Sequence, residues 1–217
     1  MILSLSKKFI CLNPPKTGSG FREYMFSDYA DFYVEGISQS MRDIVNLNLF
    51  DNLHKFRHLN LKDCLSLLSN CNLNPDDFYI FTFVRNPWRR AESWYNMIIN
   101  QAINKQPERE NEIIDSRLNI DAFNLYTKRN EHSLIDYLSC EERDVDFCGK
   151  LENIDEDFST LSALLNINPK SSLDFNITAN LTSYHDEIKK LWVDESINSI
   201  RCSNISIIKE FDYIFSN

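Results

Sequence analysis

The sequence predicts an α/β fold built on a mainly parallel central sheet flanked by helices, and three observations support it. Phe9 to Leu12 is an unbroken apolar run, and Phe78 to Val84 (FYIFTFV) is a second stretch of the kind buried on both faces of a parallel sheet. Each is followed by apolar residues at helical spacing. Strand and helix signals then alternate with no internal repeat or low-complexity linker, so residues 1–217 read as a single domain. In such folds ligands sit at the carboxyl ends of the strands.

The elements follow in order. After the first strand Pro14 and Pro15 stop the extended chain, and Gly18 and Gly20 permit a tight loop. From Phe21 the apolar residues Phe21, Tyr24, Met25 and Tyr29 predict a helix. Tyr33 to Phe56 is ambiguous, with some helical spacing over Met41 to Leu53. Asn60, with Asp63 three residues on, predicts the start of a helix whose apolar face is Leu61, Leu65 and Leu68. An Asn74-Pro75 turn leads into the second strand. Asn86-Pro87 supplies a cap and a first-turn proline for a helix carrying Trp88, Ala91, Tyr95, Ile98, Ile99 and Ala102 on one side. Gln101 to Asn119 is polar and charged and contains Pro107, which reads as a surface excursion shaping a substrate mouth. Ser133 to Leu138 reads as a short helix, and Val145 to Leu151 as a third strand ended by Gly149 and Lys150. Asn153 with Glu156 predicts the cap of a helix through Phe158, Leu161 and Leu165. From Tyr184 the chain reads mainly as helix, with Ile188, Leu191 and Trp192 apolar and a final Ile205 to Ile214 segment.

Composition excludes several classes. Hydrophobic residues make up 43% and aromatics 12%, which is globular rather than disordered. The net charge of −9 argues against a general nucleic-acid or anionic-membrane surface, so any anion site must be local. No stretch has the apolar length of a membrane span and no signal-peptide core precedes the first strand, so the expectation is a cytoplasmic protein without membrane insertion. The six cysteines lack metal spacing and read as thiols, with Cys11 in the core.

The chemistry concentrates in Lys8 to Tyr29, KFICLNPPKTGSGFREYMFSDY. Strand, loop and helix bring free backbone N–H groups and a positive helix end to one point, where an anion can sit. Lys16 adds a full charge, and Thr17 and Ser19 add hydroxyl donors. The plainer alternative is a strand-to-helix turn with a solvated lysine. The order is not the Walker pattern, because Lys16 precedes both glycines and Phe21 follows them.

A second anchor lies in FTFVRNPWRRAESWYNM, Phe81 to Met97. Arg85 ends a strand at the ligand edge and Ser93 lies eight residues on, and an arginine fork with a hydroxyl suits a phosphate dianion. On a helical projection Ser93 shares the polar side with Arg89, Asn96 and Asn100, opposite Trp88 and Tyr95; a merely solvated serine would look the same.

PKTGS after the first strand and VRNPW-x5-S after a later one together resemble the two nucleotide-binding motifs of sulfotransferases that use 3′-phosphoadenosine 5′-phosphosulfate (PAPS). RNPWRR…SWY and GKLENIDEDF, Gly149 to Phe158, are most similar to the carbohydrate-type branch, family 2. The resemblance spans roughly Phe9 to Phe158 and, more loosely, IIKEFDYIF near the end. It implies a P-loop-like sulfotransferase architecture, PAPS as sulfuryl donor, no required metal, and a hydroxyl acceptor of carbohydrate type. Lys16, Thr17, Gly18 and Ser19 would hold the 5′-phosphosulfate, and Arg85 and Ser93 the 3′-phosphate. Gly20 departs from the pattern, since many members carry a hydroxyl there, leaving its backbone N–H to serve.

Charge growing on the leaving oxygen needs a cation, for which Lys16 is the candidate by analogy with phosphoryl transfer. The acceptor proton needs a base. His58, in FRHLNLKD, stands just before the Asn60 cap, where a helix start keeps the ring neutral; it also matches a histidine that family members often carry between the two motifs. A surface histidine near His54 is the alternative reading, and Glu35 is the fallback base. His132 and His185 fall on segments that read as exposed helix, and Trp88 and Arg90 could flank the nucleotide, although Trp88 reads rather as core. Two readings of other classes remain: a non-catalytic nucleotide-binding module, and a small-molecule kinase, which would need magnesium.

Overall fold

The computed structural model describes residues 1–33, 36–38, 41, 56–129, 133–168, 170 and 184–216. The chain is α/β, and it forms two compact units: Met1–Val84 with Asp136–Phe175, and Arg85–Ile135 with Asn176–Asn217.

The first unit holds a six-stranded sheet. Its strands are β1 (Ile2–Ser4), β2 (Phe9–Cys11), β3 (Phe32–Tyr33), β4 (Gly36–Ile37), β5 (Tyr79–Val84) and β6 (Phe147–Lys150), in the order β4-β3-β1-β2-β5-β6. β2 and β5 pair in parallel with Cys11 opposite Phe81, and β5 and β6 in parallel with Val84 opposite Lys150. The other pairings, β1 with β2, β1 with β3 and β3 with β4, are antiparallel. The sheet is therefore mixed rather than mainly parallel. The cause is β1, a three-residue strand unforeseen in the sequence, which turns back through Lys8 (φ 54) to cover β2 on its outer side. The parallel half still brings the carboxyl ends of β2, β5 and β6 to one edge.

Strand alternation sorts the core into two layers. Ile10, Leu12 and Ile80 pack against Leu61, Cys64, Leu65 and Leu68 of α2 (Leu61–Asn70). On the opposite face Phe9, Cys11, Phe81 and Phe83 pack against α1 (Ser19–Phe26) and α6 (Ile154–Leu165). Phe26 and Phe158 lie 4.9 Å apart by ring centroid, and Phe9 and Phe26 5.3 Å. Asn60 caps α2 as its sequence signature predicts, its side chain accepting from the Asp63 N–H at 2.8 Å. Asn153, by contrast, makes no side-chain cap on α6. Asp157 accepts from the Lys150 N–H at 2.5 Å, tying that helix to the last residue of β6.

α1 presents a different face from the predicted one. Its buried residues are Arg22, Glu23, Met25 and Phe26, while Phe21 and Tyr24 are only half-buried. The apolar spacing that predicts this helix ignores the two charged residues that the fold buries.

The second unit is helical. It comprises α3 (Pro87–Lys105), α4 (Glu110–Arg117), α5 (Ile120–Thr127), α7 (His185–Lys189), α8 (Asp194–Ser203) and α9 (Ile205–Glu210). Its core joins Trp88, Ala91, Tyr95, Ile99, Phe123, Tyr126, Ile188, Leu191, Trp192 and Ile200. Asn86 caps α3 by accepting from the Trp88 and Arg89 N–H groups, and Pro87 opens the helix as predicted. The excursion expected over Gln101 to Asn119 is instead helical: α3 runs on to Lys105, a 3-10 turn covers Pro107–Arg109, and α4 follows. The end of α3 and the whole of α4 expose most of their surface, which hides them from a reading by apolar periodicity. The short helix expected over Ser133 to Leu138 shrinks to one 3-10 turn, Ile135–Tyr137. The helical spacing over Met41 to Leu53 lies, apart from Met41, outside the described residues.

Gly149 lies where β6 packs closely on β5 and α6. A Cβ there would meet the Phe83 ring at 2.5 and 2.7 Å and the Asp157 Cβ at 3.2 Å. Gly149→Ala should lower the denaturant midpoint by the equivalent of about 1–3 kcal/mol at unchanged slope. An unaltered midpoint would show that β6 and α6 have room the packing denies them.

Candidate functional site

The loop from Asn13 to Ser19 joins β2 to α1 and leaves the sheet at the edge shared by the carboxyl ends of the parallel strands. Leu12 is fastened to β5 by its N–H to the Phe81 carbonyl (2.8 Å) and by its own carbonyl, which accepts from the Thr82 hydroxyl (3.2 Å). Backbone φ is positive at Lys16 (66°) and Gly18 (84°), on either side of Thr17. Such alternation turns successive N–H groups toward one concavity, the geometry of an anion nest. Gly18 is required twice over, for its φ and because a Cβ would lie 2.8 Å from Leu151 Cδ1. Gly18 is also the N-cap of α1, so the first N–H groups of that helix, from Ser19 onward, are free of intrahelical partners.

The residues expected to line the cradle differ in what they offer. Lys16 is half-buried on the loop. Thr17 is wholly buried, and its hydroxyl donates to the Pro14 carbonyl at 2.8 Å while accepting from Arg22 at 3.0 Å. Its side chain thus braces the loop from beneath. The Ser19 hydroxyl is half-buried and bonds to none of the described residues. Gly20 is exposed, with nothing within 4 Å of where a Cβ would stand, so the missing hydroxyl leaves open space rather than a packed substitute.

Arg22 and Asn13 hold this loop together, and sequence periodicity does not reveal them. The Arg22 guanidinium has no solvent exposure. Nε donates to Asn13 Oδ1 at 3.0 Å, one terminal nitrogen to the Thr17 hydroxyl at 3.0 Å, and the other to the Thr17 carbonyl. The group lies 5.4 Å from the centroid of the Phe83 ring. Burial pulls its pKa down from the ordinary value, yet arginine stays protonated. It forms no ion pair among the described residues. The neighbouring Glu23 is already held by Arg57, through contacts of 3.0 and 2.7 Å.

His58 stands at the start of the same loop. Its Nδ1 lies 2.6 Å from the Asn13 carbonyl oxygen, and its own carbonyl accepts from the Tyr137 hydroxyl at 3.1 Å. A carbonyl can only accept, so Nδ1 carries the proton and Nε2 keeps its lone pair. Burial lowers the His58 pKa to about 4, with the Arg57 and Arg22 charges acting in the same sense and the Asn13 bond opposing them. The near-neutral titration expected from sequence is displaced downward in the free protein, chiefly because the ring is buried, with the neighbouring cations adding to the shift.

In the helical unit Arg85 and Ser93 are both half-buried, Arg85 just ahead of the α3 cap and Ser93 within that helix. The Ser93 hydroxyl bonds to none of the described residues. Burial lowers the pKa of His185, with Glu92 raising it and Arg85 lowering it in turn. Trp88 is core, its indole N–H donating to the Ile197 carbonyl at 3.1 Å. Arg90 is buried as well, 5.1 Å from the Trp94 ring centroid. A surface cleft of about 670 Å³ lies along the end of α3 and α4, lined by Lys105, Arg109 and Arg117 together with Gln101, Gln106 and Glu112. Glu35, His54 and His132 lie outside the described residues. All six cysteines are free thiols. No group of three or more His, Cys, Asp or Glu side chains suited to a metal occurs among the described residues. None of the described helices is long and apolar enough to cross a membrane.

His58 makes stability depend on pH with a definite sign. Its folded pKa lies below the unfolded value of about 6.5, so the unfolded chain binds more protons between the two. This contribution is full above pH ~6.5 and is lost as pH falls toward ~4. Urea titrations should show that fall in the wild type and a shallower one in His58→Gln. Identical slopes would mean that the ring is not buried as described.

Comparisons with protein-family models, curated proteins and solved structures find no match for this chain.

Proposed function

We propose that the protein is a PAPS-dependent sulfotransferase of P-loop-like architecture, acting on a hydroxyl acceptor of carbohydrate type. The observation that carries this reading is the bond from His58 to the Asn13 carbonyl, which sets a neutral imidazole at the mouth of a loop shaped for an anion. Two segments far apart in sequence thereby meet at one loop, and in this reading each contributes a group that sulfuryl transfer needs.

In this reading the acceptor oxygen attacks sulfur as the bond from sulfur to the bridging phosphate oxygen breaks. The acceptor proton passes to His58 Nε2, and the electron pair of the broken bond stays on the departing adenosine 3′,5′-bisphosphate. Lys16 and the backbone N–H groups of the loop offset that charge. The products are a sulfate monoester, the bisphosphate and one proton. A ring with a pKa near 4 is a weak base, but an anion on the loop favours the imidazolium and raises that value. Arg85 and Ser93 serve the 3′-phosphate. Six free thiols fit a reducing compartment such as the cytoplasm.

One observation favours a second reading. The Thr17 hydroxyl is turned inward and Gly20 offers none, so a non-catalytic module that binds the nucleotide would need nothing more than this loop.

The deciding experiment supplies sulfur-labelled PAPS with a panel of neutral and acidic sugars and no added metal. Labelled ester should appear. Lys16→Ala should cut turnover by about 10²–10³-fold, and His58→Ala by about 10²–10⁴-fold with nucleotide binding retained. Tight binding of the nucleotide without transfer to any acceptor would leave the binding module, and strict dependence on magnesium would point to a kinase.

A further inference from the structure

Arg22 is a buried cation with an unusual set of partners. Its three bonds go to a side-chain amide oxygen, a carbonyl and a hydroxyl, all neutral. The neighbouring carboxylate of Glu23 already faces Arg57 at 2.7 Å, and it also accepts from the Asn13 amide at 3.4 Å. Glu23 is shared with Arg57 and answers the guanidinium charge only in part, so positive charge remains behind the loop that carries Lys16. Burying a charge is costly unless something compensates it. Neutral oxygen dipoles and the Phe83 ring, 5.4 Å away, do part of that; an anion above the loop would complete it.

The same guanidinium reaches both halves of the candidate site. Through Thr17 it fixes the residue between the two positive-φ positions, Lys16 and Gly18. Through Asn13 Oδ1 it fixes the residue whose carbonyl oxygen holds His58. A single change at position 22 therefore touches loop shape, loop charge and the imidazole together.

We propose that Arg22 is a positioning residue for sulfuryl transfer: its fork locks Asn13 and Thr17, and so the pose of His58, while its unpaired charge strengthens anion binding on the loop. This rests on the sulfotransferase reading for its catalytic meaning, but its physical content is measurable without turnover.

The test combines ring-nitrogen NMR of His58 with calorimetry of adenosine 3′,5′-bisphosphate. The charged and titratable groups near the ring are Arg57, Arg22, Glu23 and the Met1 amine, which donates to the Phe56 and Arg57 carbonyls and whose own pKa burial lowers to about 5. In the wild type His58 should be the Nδ1–H tautomer with a midpoint near 4. Arg22→Gln should mix the tautomers, move the midpoint toward the unperturbed value, and weaken the nucleotide by about 10–100-fold. Arg22→Lys should recover part of the affinity, because the charge returns, but not the tautomer, because one ammonium cannot reproduce the planar fork. Leu165→Ala, a core change on α6, supplies a destabilised control that should leave the tautomer unchanged. Should Arg22→Gln not fold, Asn13→Ala decides, since it severs Arg22 from His58 while keeping the carbonyl. A wild-type tautomer and midpoint in whichever of these two variants folds would overturn the proposal. If the wild type binds no bisphosphate, the sulfotransferase reading fails by itself, and the tautomer measurements still decide the role of Arg22.

Discussion

A guanidinium removed from water must be answered by its surroundings, and much of the sheet edge in the first unit is arranged around doing so. Arg22 draws Asn13 and Thr17 inward, and Thr17 in turn holds the Pro14 carbonyl. The loop is then committed to a shape with positive φ at Lys16 and Gly18. Glu23, the next residue of α1, meets Arg57 and so ties down the segment that carries His58. The ring closes on the Asn13 carbonyl, one residue past the end of the Leu12 pairing with β5. Charge, hydrogen-bond geometry and strand position thus converge on a few side chains. Networks of this kind are strong when every member is satisfied and fragile when one is removed.

The other wall of the loop is a matter of contact distance. Leu151, just beyond β6, leaves no space for a Cβ on Gly18, and Phe83 of β5 leaves none on Gly149. The GKLEN segment therefore packs down on the loop through two glycines placed where backbones approach closely. Asp157 fastens the end of β6 to the first turns of α6, which holds Leu151 in register with the loop it covers.

Much of this fold was legible because its signals are local. The apolar run of β2, the aromatic alternation of β5, the Asn60 cap with its Asp63 partner, and Asn86-Pro87 each act within a few residues. What escaped depends on distant partners. β1 is only three residues long and exists because β2 and β3 flank it, and its antiparallel pairing makes the sheet mixed. α4 carries no buried residue, so apolar periodicity had nothing to register. At the site, Lys16, Gly18 and His58 could be named from residue type and spacing. Arg22 could not, because a charged residue on a helix reads as solvated until the tertiary structure surrounds it. The inward turn of Thr17 and the depressed pKa of His58 share that origin, the first set by the Arg22 fork and the second chiefly by burial.

On the proposed function, the nucleotide taken by the loop after β2 carries phosphates at both ends of its ribose. Calorimetry comparing adenosine 3′,5′-bisphosphate with adenosine 5′-monophosphate tests it most directly. The account predicts a preference for the bisphosphate of about 2–4 kcal/mol, the scale of charge-assisted contacts to a partly buried phosphate. Equal affinity for the two nucleotides would contradict it.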